Sequence, residues 1–452
     1  MKVPASDSLT ARFALIAALA LAMMIPLNMV DYLVYERTGY YQSALSDIAN
    51  AWGGNQTLGG VALIVPFRIR HSTVQTVPDP SGATTQRLQN VLVERHLVSL
   101  PVSLDYTMDL RHETRRRGIY EAVVYQAGLT ITGEITRPDF SQLGIDIDSV
   151  DFAHAWLAIG ISDTRAIRRV TAATVGNQAR EIMPGTRLPA LMSTGVHIPL
   201  NLADDAGEAI PFDIQLDLNG SGGIGFTPVG GTTTARVTAD WPHPKFRGNL
   251  LPTAAEISAD GFSAQWEVPR LARSYPQTWQ QEIERYSLEE LQAGVDLFEP
   301  VYLYSMVTRA VKYGLLFVVL TFFTFVIFEL GAQTRMHFVQ YALVGCALVV
   351  FFLVLLSIAE HAGFVLAYLL AATLAVAMIS SYVAIAVASR RRGATVAAGL
   401  GGLYAALYVL LQLEDFALLF GTGLLVAVLA VLMVLTRNIN PREPVAGLAN
   451  AN

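Results

Sequence analysis

The chain has 452 residues, 53% of them hydrophobic and only 15% charged, where soluble domains carry roughly 25% charged residues. Its 37 acidic and 31 basic side chains leave a net charge of −6, which excludes a globally basic surface for nucleic acid and a disordered acidic tail. One cysteine, Cys346, excludes an intramolecular disulfide framework and a cysteine-based zinc site. A mean hydropathy of +0.42 over so long a chain points to segments solvated by lipid, and charge is nearly absent after Lys312.

The first apolar run, Phe13 to Val30, carries no charge and is about 18 residues long, enough for a helix to cross about 30 Å of hydrocarbon. Ala20-Leu21-Ala22 resembles a signal-peptidase site, but the run continues through Met23, Met24 and Ile25, which favours an uncleaved anchor. The expected order is therefore a cytoplasmic segment 1–12 followed by a transmembrane helix over 13–35. Beyond it, Tyr41, Leu45, Ile48 and Trp52 recur at helical spacing and Gly53-Gly54 ends the pattern. This amphipathic helix either packs on the domain that follows or lies on the lipid surface, packing being the commoner outcome.

From Val61 to about Val268 the pattern changes to short runs of Val, Ile, Thr and aromatic residues between Gly, Pro, Asn and Asp. Examples are Val61–Val65, Glu121–Tyr125, Leu129–Ile135 and Ile214–Leu218; such alternation predicts an antiparallel, β-rich, sandwich-like domain within residues 36–307. Val77 to Thr85, with two prolines and Gly82, reads as a loose hairpin tip. Trp279 to Leu291 reads as a helix, and Pro300 suits a first helical turn. An unbroken helix from Pro300 to Leu330 would be about 46 Å long, so its first turns would project from the bilayer and couple the β domain rigidly to the spans.

Five further apolar runs follow, Ala310 to Leu330, Phe338 to Ile358, Gly363 to Ala388, Ala394 to Leu413 and Phe416 to Leu435. They predict a five-helix bundle over 308–436, with spans 308–330, 338–358, 363–388, 394–413 and 416–436 and a tail 437–452. With a cytoplasmic N-terminus, the inner segments hold Lys2, Arg12, Arg335, Arg390, Arg391, Arg392, Arg437 and Arg442. The two short outer turns hold Glu360 and His361, then Glu414 and Asp415, without Lys or Arg. That asymmetry predicts six spans with both termini cytoplasmic and the large domain outside, periplasmic in a bacterium with two membranes.

Several stretches resemble the CreD family of bacterial inner-membrane proteins. They are Ala51–Leu58, Arg116–Tyr125, Gly160–Arg165, Arg309–Tyr313, Phe328-Glu329, Gln340-Tyr341, Glu360–Phe364 and Gln412–Asp415, so that the likeness covers nearly the whole chain except the tails. The resemblance implies a cell-envelope integrity protein associated with envelope stress and its two-component regulation. It implies no known reaction and supplies no catalytic residues.

Site chemistry must then come from the residues. Glu360, His361, Glu414 and Asp415 would form an acidic outer cluster with one imidazole, either suited to a divalent cation or a proton relay, or ordinary exposed turn residues. Arg309 and Lys312, at the outer end of the second span, either snorkel or pair with Glu414-Asp415 and lock the bundle. Ala394, Ala398, Gly402 and Ala406 recur every four residues, a spacing for close helix approach within the bundle or between protomers. Cys346 reads as a small buried residue. Arg111, Arg115, Arg116 and Arg117, with His112, form a basic patch, either a solvated loop or a seat for an anionic headgroup or envelope polymer. Gly220-Ser221-Gly222-Gly223 is a glycine-rich turn without the pattern of a phosphate loop. The expectation is an interaction or structural protein of the envelope, with the lipid bilayer and an envelope component as partners and with no metal, cofactor or nucleic acid. The competing reading is a transporter or membrane-embedded enzyme that uses the acidic outer face.

Overall fold

The computed structural model describes residues 9–78, 84–203, 209–297, 303–332 and 337–412, with isolated positions beyond. The chain forms two compact units, a helical one (Met1–Gln42 with Val301–Asn452) and a β-rich one (Ser43–Pro300).

The helical unit begins with α1 (Leu9–Ala22) and α2 (Met24–Trp52), separated at Met23. Pro26 explains the separation: it brings no N–H, and its ring opposes the carbonyl four residues back, on Ala22. The predicted amphipathic helix is no separate element, because α2 runs on without a break to Trp52. The expected continuous helix from Pro300 to Leu330 is replaced by α3 (Leu303–Lys312) and α4 (Gly314–Ala332), bent by 46° at Tyr313; Pro300 lies outside the described residues. Gly314 stands where an added Cβ would lie 3.0 Å from Leu27 and 3.3 Å from Phe352, so the bend brings backbone close to neighbouring side chains.

The remaining helices are α5 (Phe338–Ala362), α6 (Phe364–Ala386) and α7 (Arg390–Gln412). His337 caps α5 in a reciprocal arrangement with Gln340, and Gly363, with φ of +77°, is the whole connection between α5 and α6. Among the described residues four helices are long and apolar enough to span a membrane, five if the bent pair α3–α4 counts as one, and the sixth predicted span, 416–436, lies almost wholly outside the described residues. Many leucines on α5 and α6 are exposed, as lipid-facing side chains require. Cys346 is exposed on α5, contrary to the expectation of burial. On α7 the small residues Ala394, Ala398 and Gly402 are exposed, and the inward face is instead Val396, Leu400, Tyr404, Leu407 and Leu411. Among the described residues the interior is filled by bulky side chains, with Tyr404 stacking on Phe317 and Phe351 at 4.9 and 4.8 Å.

The β-rich unit contains β1 (Gln56–Pro78), β2 (Thr84–Ser99), β3 (Ser103–Arg117), β4 (Tyr120–Thr136), β5 (Ala155–Ile161), β6 (Ile167–Val175), β7 (Gln178–Ala179) and β8 (Met183–Pro184). It continues with β9 (Gly195–Leu200), β10 (Ala209–Ser221), β11 (Gly223–Phe226), β12 (Thr232–Ala239), β13 (Pro244–Gly248), β14 (Ala254–Ser258), β15 (Gly261–Pro269), β16 (Thr278–Gln280) and β17 (Ala293–Leu297). One sheet has the order β13-β17-β11-β1-β5-β9-β8, with β2 on β1 and β16 on β2; the other runs β14-β15-β12-β3-β4-β10-β6-β7. Most pairs are antiparallel as expected, but β1–β11 and β3–β12 are parallel.

Alternation builds the second sheet. On β3, Leu104, Tyr106, Met108 and Leu110 are buried while Asp105, Thr107, Asp109 and Arg111 face solvent, and β10 repeats the pattern from Ile210 to Leu218. A single buried cluster draws on both sheets, from Leu63 and Phe226 of one to Tyr106 and Trp266 of the other. Each large apolar side chain so enclosed contributes about 1.5–3 kcal/mol. The two arms of the predicted hairpin form a ladder paired from Leu63↔Ser99 out to Pro78↔Thr84, and the predicted loose tip between them, 79–83, lies outside the described residues. The helix predicted over Trp279–Leu291 is absent: Trp279 sits in β16 and a short 3-10 turn covers Leu288–Glu290. Trp279 is fully buried, donates to Gln281 at 2.8 Å and meets Tyr286 edge-on at 5.4 Å, contacts that tie it to the sheet and override its helical spacing.

Candidate functional site

In the helical unit, Glu360 occupies the last turn of α5, where the helix dipole disfavours a carboxylate. Two groups compensate. The Tyr304 hydroxyl on α3 donates to Glu360 Oε1 at 3.0 Å, and Arg37 Nε on α2 lies 3.9 Å from the same oxygen. The Glu360 side chain is only 9% exposed, and Tyr41 stacks on Tyr304 at 5.6 Å, so the group is enclosed by α2, α3 and α5. His361 beside it is exposed, with its Nδ1 3.2 Å from the Ser357 carbonyl. Glu414 and Asp415, and with them the predicted pairing to Arg309 or Lys312, lie outside the described residues. Among the described residues no three His, Cys, Asp or Glu side chains converge as a metal site would require. Sequence reading named Glu360 but missed Arg37 and Tyr304 as its partners; the one available signal was that both stand near the ends of apolar runs.

In the β-rich unit the predicted basic patch lies on strand β3 itself, not in a loop. Alternation sends its members to opposite faces, and most are neutralised. Arg115 pairs with Glu113 at 2.7 Å and stacks over Trp52 at 4.1 Å. Arg116 pairs with Glu121, and Arg117 with Asp47 at 3.1 Å. His112 meets Asp240 at 2.8 Å. Burial raises the Asp240 carboxyl, but backbone and ring hydrogen bonds from His112 outweigh it and hold the group below the usual carboxylate range. Only Arg111 of the predicted patch lies apart from these pairs.

The stretches 51–58, 116–125 and 160–165 converge around the end of α2. Ile48 packs on Ala122 and Val124, and Trp52 Nε1 donates to the Tyr125 carbonyl at 3.2 Å. Gly53 ends the helix at φ of +125°, where a Cβ would stand 2.8 Å from the Asn219 carbonyl and 2.9 Å from Ala166, so only glycine fits. Ser162 Oγ accepts from Thr57 N–H at 2.9 Å, and Arg247 donates to Asn55 at 2.7 Å while meeting Asp296 at 2.9 Å. The Arg165 guanidinium beside Asp163 holds that carboxyl below its usual range. Tyr125 is fully buried, donates to the Gly223 carbonyl at 2.7 Å, and burial pushes its phenol well up. These contacts fasten the turns that follow α2 to the sheets.

Comparison with known proteins finds similarity over nearly the whole chain. The family model described as "Inner membrane protein CreD" matches residues 8–441. The Escherichia coli (strain K12) protein "Inner membrane protein CreD" is 31% identical over 421 residues, 93% of this chain and 91% of that protein. Among solved structures, the M1 zinc metallopeptidase from Deinococcus radiodurans overlaps 43% of this chain and 41% of its own at 11% identity with a TM-score of 0.21, too low to imply a common fold.

Proposed function

Because the chain belongs to the CreD family of inner membrane proteins, we propose that it maintains cell-envelope integrity and takes part in the envelope stress response. Its β-rich unit, on the periplasmic side, acts as the interaction or structural element, and the apolar helices anchor it. The observation that carries this reading is the place of the insertion. The β strands run from Gln56 to Leu297, between an apolar helix ending at Trp52 and another beginning at Leu303, so both ends of the domain are tied to membrane segments. The positive-inside bias supports placing that domain on the outer side.

The competing reading, transport or catalysis at the outer face of the bundle, rests on Glu360. Its enclosure by Arg37 and Tyr304 favours a locking role over an open substrate site. Complementation of envelope sensitivity in a strain lacking the protein tests both readings. Residues 1–307 are compared with the full chain, export and membrane insertion being checked. Rescue by the shorter form is the expected result; failure of an exported, folded form would move the activity to the bundle.

A further inference from the structure

On the solvent face of the second sheet lies a groove of about 640 Å³, crossing β3, β4, β10 and β6. Its floor is Gly128, which leaves a gap in a row of side chains: by register Gly128 pairs with Asp109 on β3 and with Asp217 on β10. A Cβ added at Gly128 would meet nothing within 4 Å, so the opening follows from the missing side chain and not from crowding.

The cationic end of the groove comes from a β-bulge. Leu218 pairs with Ile167 and Asp217 with Arg169, so Arg168 is an extra residue on β6, and both consecutive arginines line the open face. Arg169 is neutralised by Asp217, with contacts of 2.9 and 2.6 Å. Arg168 instead reaches across β10 to the neutral Gln126 amide at 2.7 Å, and Arg111 is the register partner of that same Gln126. Among the described residues neither Arg111 nor Arg168 meets a carboxylate, since Glu113 nearby is occupied by Arg115 and Gln126. Two guanidinium groups thus flank one amide, an arrangement suited to an oxyanion by charge-assisted hydrogen bonding.

One oxyanion fills little of this volume. Over the glycine floor the ligand would lie between Asp109 and Asp217, each held in place by its own partner, Thr238 and Arg169. A paired carboxylate keeps acceptor sites free for hydroxyl donors. Two residues along the strands, the same face carries Thr107, Thr130 and Gln215 in register, a further row of hydroxyl and amide groups. We propose that this groove binds an acidic saccharide, its phosphate or carboxylate between Arg111 and Arg168 and its hydroxyl groups over Gly128. The proposal rests on the reading of the β-rich unit as the envelope-binding element and gives it a ligand class.

The test is a ligand-observed saturation-transfer NMR titration of the full chain in phosphatidylcholine nanodiscs, with glucose 6-phosphate, glucuronate, glucose and inorganic phosphate as probes. Saturable binding of glucose 6-phosphate or glucuronate at least tenfold tighter than glucose, weakened by added salt, is expected; the tighter of the two identifies the acid group. Arg111→Gln and Arg168→Gln should each weaken it at least tenfold, and Gly128→Leu should do the same with an unchanged unfolding temperature. Glucose binding as tightly as the acids, inorganic phosphate binding as tightly as glucose 6-phosphate, variants binding like the parent, or no saturable binding of either acid would each overturn the proposal. Because binding is read in vitro, such a failure leaves the complementation result standing on its own.

Discussion

The Glu360 carboxylate shows how a single charge near a helix end depends on partners brought from elsewhere in the chain. Arg37→Leu would leave it enclosed, at the unfavourable end of α5, with Tyr304 as its remaining partner among the described residues, and should cost about 2 kcal/mol. The double variant Arg37→Leu/Glu360→Leu should recover part of that loss, because both charges then go together; strictly additive unfolding energies in detergent would rule out the coupling. At the surface of the β-rich unit, the depressed Asp240 carboxyl contributes stability that is present above its unfolded value of about 3.9 and is lost as pH falls through the lower folded value. Asp240→Asn should therefore be less stable than the parent near neutrality and lose less of its stability on acidification below about pH 4, read as unfolding temperature against pH.

At the scale of elements, the hairpin of β1 and β2 extends past the sheet it belongs to. β5 pairs β1 only as far as Ile64, whereas the β1–β2 ladder continues to Pro78. Val91, Leu92 and Val93 are exposed along this part. Since His71 and Ser72 on one strand and Asn90 on the other are already exposed, replacing residues 73–89 by Asn-Gly, which joins the facing pair Ser72 and Asn90 through a tight turn, should shift the unfolding temperature by less than about 3 °C. A larger drop would show that the arm helps hold the sheets. The bulge on β6 is the opposite case: one extra residue re-aims Arg168 and creates the cationic end of the groove without adding length to the sheet.

For the whole molecule, the proposed orientation makes a direct prediction. In a Cys346→Ser background, Leu251→Cys on the β-rich unit, where Leu251 is 77% exposed, should react with a membrane-impermeant maleimide in cells whose outer membrane alone is permeabilised. Arg391→Cys at the start of α7 should react only after the inner membrane is opened. Labelling of Arg391→Cys under the first condition would reverse the assignment of sides.

The apolar helices were legible because lipid demands a local property, about 20 consecutive residues without charge, that needs no knowledge of neighbours. Strands such as β4 and β10 were legible for a similar reason, since a half-buried strand writes its two faces into adjacent residues. Partnership was not legible. Which strands pair in parallel, which arginines of the groove escape neutralisation, and which cation meets Glu360 depend on contacts between residues far apart in the chain. The same competition turned Trp279 from an expected helix into a strand, because enclosing one indole among Tyr275, Tyr286 and the sheet outweighs the weak helical preference of its neighbours. Sequence alone determined where the chain is apolar and where it alternates; tertiary structure decided which charges are neutralised, since pairing is set by distance in space and not along the chain.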